Sequence, residues 1–173
     1  MISPPLHSMP QSLLTLARAF SSHACGGAVA SLAGVLLAGC AHTGGRQVIN
    51  PPGIAPLVPA YSVAIRDGDL VFVSGMTGIK PGTQDIVAGG VAVQTRQTLE
   101  NIQTSLKAAG ASMADVGECT VFLVDIADYA AMNAVYIEFF RVDPPARATL
   151  SVTALPRPAA RVEIKCMARM KKR

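Results

Sequence analysis

Two residues in the C-terminal part of the chain have side chains that could do chemistry on a small carboxylate-bearing substrate. Arg147 follows Pro144-Pro145-Ala146, and its planar guanidinium can grip a carboxylate with two parallel hydrogen bonds. Glu163 stands between Arg161 and Lys165, and a carboxylate there can orient a water molecule or carry a proton. From position alone, both residues could instead belong to ordinary surface ion pairs.

Strand and helix signals place both residues in one α+β domain. The predicted order is a strand pair, a helix, a strand, a second helix and a second strand pair. The predicted ranges are 61–66 and 70–75 for the first pair, 91–109 for the first helix, 118–125 for the middle strand, 125 or 128 to 141 for the second helix, and 147–154 and 161–170 for the last pair. One mixed sheet with both helices packed on one face is the simplest way to bury both helical stripes.

Local signals mark the ends of these elements. Asp67-Gly68-Asp69 predicts a hairpin turn between the first two strands. Gly110 is placed to end the first helix, and Pro144-Pro145 ends the second. Five residues of the first helix are spaced so that they lie on one helical face and form its buried stripe. They are Val91, Thr95, Leu99, Ile102 and Leu106.

The strand that begins at Arg147 alternates between two kinds of side chain. Arg147, Thr149 and Ser151 share one face, whereas Ala148 and Leu150 share the other. Because the helices can cover only one face of the sheet, we expect the polar face to be solvated or packed against another subunit. A polar pocket at a subunit interface is expected there.

The charge of the domain is nearly balanced, although the whole chain carries a net charge of +4. Of the 15 basic residues, Arg18 and Arg46 precede the domain and four lie in the last five positions, which leaves nine against 11 acidic residues. The four terminal cations are typical of a solvated tail. Since no basic stripe with aromatic partners is found on the body, we expect no nucleic-acid binding.

The cysteines and histidines do not form a metal-binding pattern. His7, His23 and His42 all precede the domain, and the chain has no CxxC pair, so we expect no protein-bound zinc or haem. Cys119 and Cys166 alternate with apolar neighbours, which is typical of buried thiols. A disulfide between them would need an oxidising compartment, and the sequence leaves that pairing open.

An apolar leader precedes the domain. Residues 24–39 are all small or apolar apart from Ser31, and Leu37-Ala38-Gly39-Cys40 follows the pattern of a bacterial lipobox. The stretch is too short and too rich in glycine for a membrane span. We therefore expect 1–40 to be a lipoprotein-type signal peptide, with Cys40 as the lipidated first residue of the mature protein.

Beyond the leader, residues 41–50 contain paired glycines and are expected to form a flexible tether to a domain over 51–173. The lipid on Cys40 would anchor that domain to a membrane of the cell envelope, facing the periplasm. An apolar N-terminal helix or extension is the alternative interpretation of the leader. A misassigned start codon would leave the protein in the cytoplasm.

Eight short segments of the domain carry a resemblance to a known family. They are Tyr61-Ser62, Val73-Ser74-Gly75, Gln94-Thr95-Arg96-Gln97-Thr98-Leu99-Glu100-Asn101, Ala108-Ala109-Gly110-Ala111-Ser112, Thr120-Val121-Phe122-Leu123, Asn133-Ala134-Val135-Tyr136, Pro145-Ala146-Arg147 and Val162-Glu163-Ile164. In order and spacing they resemble the Rid (reactive intermediate deaminase) family, also called YjgF. The resemblance covers about residues 48–169, practically the whole domain.

The resemblance implies a homotrimer of an α+β fold like that of one class of chorismate mutase, with three active sites between subunits. It also implies hydrolysis of 2-imino acids, such as 2-iminobutanoate and 2-iminopropanoate, to 2-oxo acids and ammonia, with no cofactor because the imine is already electrophilic. Arg147 would grip the substrate carboxylate, Glu163 would activate water and protonate the leaving nitrogen, and Tyr61 would hydrogen-bond substrate or water. Backbone groups near Gly75 and Thr149 would line the remainder of the site.

Three departures from the family pattern concern the catalytic geometry and the substrate range, one of which is Thr149, where some members have Cys. Pro59-Ala60-Tyr61-Ser62-Val63 stands where members commonly have Gly-Pro-Tyr-Ser-Gln, and the segment 155–161 is one residue longer than usual. A non-catalytic module that binds a small carboxylate or amino acid at the envelope is the alternative function, because an exported protein is separated from the cytoplasmic enzymes that generate imines. Endoribonuclease activity, also attached to the family, is not expected of a near-neutral domain without histidine.

Overall fold

A six-stranded mixed sheet and two α-helices make up residues 45–171, the part of the chain that the computed structural model describes. The strands are β1 (Gln47–Ile49), β2 (Ala64–Asp67), β3 (Leu70–Thr77), β4 (Val116–Leu123), β5 (Ala146–Ser151) and β6 (Val162–Arg169), and the helices are α1 (Val91–Ala108) and α2 (Tyr129–Phe139). Across the sheet the order is β1-β2-β3-β6-β4-β5, and only β4 and β5 run parallel. The predicted α+β fold, a mixed sheet with two helices, is confirmed.

The predicted hairpin joins β2 and β3. Asp67 pairs with Leu70 across the turn, and Gly68 has a φ of 60°, a conformation that glycine adopts without steric cost. The register sets Ala64 opposite Val73, and both are buried. β3 therefore joins the core of the sheet, and its last residues border the candidate site.

α1 covers the sheet with its predicted stripe. The stripe residues are all buried, namely Val91, Thr95, Leu99, Ile102 and Leu106. At the helix end Gly110 has a φ of 84°; its N–H donates to the Lys107 carbonyl, and the Ala111 N–H donates to that of Leu106. These paired bonds are a Schellman motif, so glycine ends the helix as predicted. α1 packs on β3 and β6, and α2 packs on α1.

The turn between β4 and α2 is capped by an aspartate. The Asp125 carboxylate accepts a hydrogen bond from the Ala127 N–H at 2.9 Å, which satisfies a backbone donor at the start of a short 3₁₀ turn over Ile126–Asp128. α2 then begins at Tyr129 and ends at Phe139, before the two prolines. The sequence predicts a second helix that begins at 125 or 128 and runs to 141; Asp125 caps the 3₁₀ turn instead, and Asp128, directly before α2, makes no side-chain capping hydrogen bond.

The face of β5 differs from the prediction. β5 pairs with β4 so that Arg147 lies beside Cys119 and Thr149 beside Val121, and both β4 residues are almost fully buried. Arg147 and Thr149 therefore share the helix-covered face, and the prediction that the helices leave this face uncovered is wrong. The parallel register with β4 decides the face, and β5 lies at the sheet edge, where Arg147 meets polar side chains of α2.

Within the described residues, the opposite face of the sheet carries no helix. The register aligns Leu150, Phe122 and Glu163 across this open face. Its exposed apolar side chains include Leu150 (47% exposed), Phe72 (43%) and Met167 (36%). An apolar surface of this kind is suited to burial against another chain.

Part of the predicted tether over 41–50 forms a strand. β1 pairs antiparallel with β2, because the β-branched side chains of Val48 and Ile49 favour extended backbone along the free edge of β2. The tether prediction is therefore corrected at Gln47–Ile49. The predicted signal peptide over 1–40, with Cys40, lies outside the described residues. Between residues 45 and 171, no helix combines the length and apolar content needed to cross a membrane.

A disulfide joins Cys119 of β4 to Cys166 of β6. The two residues face each other directly across the antiparallel pair, and both are buried, so the prediction of buried cysteines is confirmed. The pairing that the sequence left open is a covalent link between two central strands.

Candidate active site

A cavity of about 430 Å³ opens beside the end of β3. Tyr61, Gly75 and Glu163 line it together, so three of the predicted site residues meet although they are distant in the sequence. The volume lies within the range of small-molecule sites, and most of the other lining residues are apolar. Nowhere in residues 45–171 do three histidine, cysteine, aspartate or glutamate side chains cluster closely enough to hold a metal ion.

Glu163 reaches the cavity next to an irregularity in β3. The pairing of β3 with β6 shifts register between Val73 and Met76, and such a bulge re-aims the side chains beside it. The Glu163 carboxylate lies over Gly75, since a Cβ built on Gly75 would lie 2.8 Å from the Glu163 Cδ atom. Position 75 must therefore lack a side chain for the carboxylate to occupy this place.

Burial raises the pKa of the Glu163 carboxyl above its usual value. No ion pair or hydrogen bond within the described part of the chain offsets this effect. The surface ion pair considered for Glu163 is therefore not formed. A carboxyl in this setting exchanges a proton closer to neutral pH than an exposed glutamate does, which suits general acid–base chemistry.

The loop before β2 orients the Tyr61 hydroxyl. Its oxygen accepts a hydrogen bond from the Leu57 N–H at 2.8 Å, so the hydroxyl hydrogen is free to donate to a bound molecule. The Ser74 hydroxyl donates to the Ser62 carbonyl at 2.7 Å, which ties this loop to β3. Tyr61 is 43% exposed and can therefore contact a ligand that enters the cavity.

α2 holds the Arg147 guanidinium in one orientation. The Nη1 atom donates to Asn133 Oδ1 at 2.9 Å, and the Nη2 atom donates to the Tyr129 hydroxyl at 3.0 Å. Its central carbon lies 4.6 Å from the centre of the Tyr136 ring, within the range of a cation–π contact. Both acceptors are neutral, and no carboxylate of residues 45–171 pairs with Arg147. Its positive charge is therefore available to an anionic ligand.

Tyr136 supports Arg147 with its ring and stays neutral. Burial raises the pKa of the Tyr136 hydroxyl to about 12, although the nearby positive charge of Arg147 lowers it in part. The hydroxyl oxygen is buried without a hydrogen-bond partner among the described residues. Tyr136 is thus a platform for the guanidinium and keeps its hydroxyl proton at neutral pH.

A single chain does not bring Arg147 to Glu163. Arg147 is absent from the cavity lining, and it lies on the helix-covered face whereas Glu163 lies on the open face. Thr149 shares the face of Arg147, and its buried hydroxyl oxygen has no partner within residues 45–171. One protomer thus supplies two separate parts of a site. The first is the cavity with the Glu163 carboxyl and the Tyr61 phenol, and the second is the Arg147 guanidinium at the sheet edge.

Sequence reasoning missed several residues around these two parts. Tyr129, Asn133 and Tyr136 follow a spacing that places them on one helical face, which could have indicated that they contact one partner. Arg157 also lines the cavity. Its position between Pro156 and Pro158 indicates only an exposed turn.

The domain matches a known family and named relatives. The family described as Endoribonuclease L-PSP matches residues 54–170. A RutC family protein from Pyrococcus horikoshii is 45% identical over 123 residues, which cover 71% of this chain and 97% of the relative. The 2-iminobutanoate/2-iminopropanoate deaminase of Rattus norvegicus is 38% identical over 123 residues, which cover 71% of this chain and 89% of that protein.

The fold also matches solved structures. The crystal structure of the YjgF gene product from E. coli superposes with a TM-score of 0.65 and 31% sequence identity. The match covers 72% of this chain and 99% of the E. coli chain. The similarity therefore extends over practically the whole of that protein.

Proposed function

The chain belongs to the Rid (YjgF, L-PSP) family, and on that basis we propose that it hydrolyses small, reactive 2-imino acids to 2-oxo acids and ammonia. The observation that carries the proposal is the meeting of Tyr61, Gly75 and Glu163 in one cavity. The relative from Rattus norvegicus, 38% identical, is named for hydrolysis of this kind of substrate, which supports the same substrate class here.

The reaction consumes one water molecule and moves protons from oxygen to nitrogen. Water adds to the C=N carbon, the C–N bond then breaks, ammonia leaves, and the carbon keeps the oxygen as the 2-oxo group. The Glu163 carboxylate accepts a proton from the attacking water and returns it to the nitrogen, for which a raised pKa is an advantage. The Tyr61 hydroxyl, whose oxygen is already occupied by the Leu57 N–H, donates to the water or to the developing oxygen.

Arg147 of a neighbouring subunit is assigned the grip on the substrate carboxylate. Arg147 lies on the edge strand β5 with an oriented, unneutralised guanidinium, the geometry that favours bidentate binding of a carboxylate. The open sheet face offers an apolar surface for subunit contact. A homotrimer with sites between subunits would bring Arg147 and Thr149 of one copy to Glu163 of the next.

The hydrolysis can be tested with an imine made in situ. An amino-acid oxidase generates 2-iminobutanoate or 2-iminopropanoate, and semicarbazide traps the imine that is left. The purified protein should lower the amount of trapped imine, and Arg147→Ala should not. Arg141→Ala should behave as the unmutated protein, because within residues 45–171 the Arg141 side chain bonds only the Glu138 carbonyl at its own helix end. No acceleration by the unmutated protein with several amino acids would refute the deaminase proposal. Full activity of Arg147→Ala would remove Arg147 from its assigned role.

A small-carboxylate binding module at the cell envelope is the second candidate function, and the leader favours it. We propose that Cys40 is lipidated and that the domain faces the periplasm, where imines must come from an amino-acid oxidase or dehydrogenase of the envelope. Incorporation of radiolabelled palmitate in the unmutated chain, but not in Cys40→Ala, is the expected result. Carboxylate binding that depends on Arg147 without hydrolysis of any imine would favour the binding module.

A further inference from the structure

We infer that Arg157 forms a second anion-binding subsite in the cavity, which selects 2-imino acids that carry a carboxylate in the side chain. This inference rests on the proposed hydrolysis of 2-imino acids at the same site. Arg157 lines the cavity together with Tyr61 and Glu163, yet neither the acid–base chemistry nor the grip on the 2-carboxylate uses it.

The guanidinium of Arg157 is fixed by neutral acceptors. Its Nη1 atom donates to the Gln84 backbone carbonyl at 2.7 Å, and its Nη2 atom donates to Gln84 Oε1 at 2.6 Å. Within residues 45–171, the ion pairs are formed by Arg96, Arg161 and Arg169, and no carboxylate lies at ion-pair distance from Arg157. Its charge is held in place without a counterion, and the guanidinium keeps further N–H donors for a ligand.

The loop that carries Arg157 is built around a buried amide. Gln94 of α1 is only 4% exposed; its Nε2 atom donates to the Ala159 carbonyl at 3.0 Å, and its Oε1 atom accepts from the Arg161 N–H at 2.7 Å. The Ala160 N–H also donates to the Arg157 carbonyl at 2.9 Å, and a proline flanks Arg157 on each side. The loop therefore presents the guanidinium at a low entropic cost of ordering on binding.

The cavity has room for a longer substrate than a four-carbon imino acid. Its volume of about 430 Å³ lies in the range that accommodates larger ligands. Most of the wall is apolar, with Leu57, Val58 and Ile79 among the lining residues, and low local polarity strengthens the attraction of a cation for an anion. Glu163 repels a carboxylate in its own vicinity, so a side-chain carboxylate is favoured at Arg157.

The substrate class follows from two guanidinium groups with separate tasks. Arg147 of the neighbouring subunit binds the 2-carboxylate, and Arg157 binds the carboxylate of the side chain. The substrates are then the 2-imino derivatives of amino acids with acidic side chains. The hydrolysis itself is unchanged, with water as the only co-reactant and the 2-oxo diacid and ammonia as products.

The test compares acidic and neutral imines with the full-length protein. Amino-acid oxidases supply the imines of aspartate, glutamate and alanine in situ. Arg157→Gln is expected to lower kcat/KM for the two acidic imines by about tenfold or more, mainly by raising KM. The same variant should change kcat/KM for the neutral imine by less than about twofold. Arg157→Lys should retain part of the preference, and Arg141→Gln should change neither class.

Equal losses with acidic and neutral imines, or no loss with either, would overturn the subsite. A second measurement uses the unmutated protein alone and so does not depend on whether the variants fold. Succinate and butyrate are compared as inhibitors of the hydrolysis of the neutral imine. Tighter inhibition by succinate is expected, and equal inhibition would contradict the inference. If no imine is hydrolysed at all, only the proposed function fails, and calorimetric titration with succinate and butyrate then tests the subsite. Succinate binding that is weakened in Arg157→Gln would support the subsite. Equal binding of succinate and butyrate would overturn it.

Discussion

The Glu163 carboxylate of β6 lies where a side chain on Gly75 of β3 would have to lie. Gly75→Ala should therefore displace the carboxylate from the cavity and lower kcat/KM for imine hydrolysis by about a hundredfold. The overlap should also lower the free energy of unfolding by about 1–3 kcal/mol, measured by urea denaturation. Gly117→Ala is the matched control, because a Cβ on Gly117 meets no atom within 4 Å. Unchanged activity of Gly75→Ala would contradict the assigned position of Glu163.

Removing the charge of Glu163 should abolish proton transfer while leaving the shape of the cavity intact. Glu163→Gln is expected to lower kcat by about a hundredfold or more. In the unmutated protein, rates should fall on acidification at a higher pH than an ordinary glutamate would produce, because burial raises the pKa of this carboxyl. A pH–rate profile of both proteins checks this, and an acid limb that persists in Glu163→Gln would assign the titration to another group.

The same carboxyl should make stability depend on pH. A pKa that is raised in the folded state contributes stability below the pKa of the unfolded chain, about 4.3 for glutamate, and this contribution is lost as pH rises through the folded value. Glu163→Gln should therefore unfold at a higher temperature than the unmutated protein at pH 7, and the difference should vanish near pH 4. Thermal unfolding followed by circular dichroism at both pH values is the measurement. A more stable unmutated protein at pH 7 would show that its carboxylate has a stabilising partner.

Tyr129 should act on substrate binding through Arg147. Tyr129→Phe keeps the ring and removes the hydroxyl that accepts a hydrogen bond from Arg147 Nη2 at 3.0 Å, so one end of the guanidinium becomes free to turn. We expect KM to rise by about threefold to tenfold and kcat to change little, since part of the bond energy is lost to water at this exposed position. Steady-state kinetics separate the two constants. A fall in kcat at constant KM would mean that Tyr129 affects the chemical step and not the binding of the substrate carboxylate by Arg147.

Asn133 provides a contrasting substitution at the other end of the same guanidinium. The Asn133 amide oxygen accepts from Arg147 Nη1 at 2.9 Å, and Asn133→Asp would replace this neutral acceptor by an anion. An ion pair with Arg147 should then compete with the substrate carboxylate, so KM should rise further than in Tyr129→Phe. If KM is unchanged in both variants, Arg147 does not bind the substrate carboxylate.

The elements predicted most closely are those whose signals are local. The stripe of α1 and its end at Gly110 depend on helical spacing and on one left-handed residue, and the β2–β3 turn depends on Gly68 in the same way. The face of β5 could not be predicted because the alternation from Arg147 onward separates two faces without telling which one the helices cover. The register of β5 against β4 decides this, and that register is a tertiary property.

In the candidate site, too, local features of the sequence were predictable and tertiary contacts were not. The resemblance predicts Arg147, Glu163 and Tyr61 as parts of one site, but residue type alone does not predict that one protomer holds Arg147 apart from the other two. Glu163 and Tyr61 line one cavity beside the shift in β3–β6 register near Gly75, and such a shift is a tertiary feature that the sequence pattern does not reveal. Arg157 was missed because its contacts with Gln84 join two loops that are far apart in sequence.

The disulfide between Cys119 and Cys166 should stabilise the folded domain measurably. It joins residues separated by 47 positions, and closing a loop of this length in the unfolded chain contributes about 3–4 kcal/mol in the chain-entropy description. Urea denaturation with and without a phosphine reductant should show a loss of this order in the unmutated protein. The double variant Cys119→Ala/Cys166→Ala should be insensitive to the reductant, because it has no bond to break. Since disulfides persist under oxidising conditions, Cys119 and Cys166 of the oxidised protein should resist alkylation until a reductant is added, whereas free thiols at these two positions would contradict the cross-link.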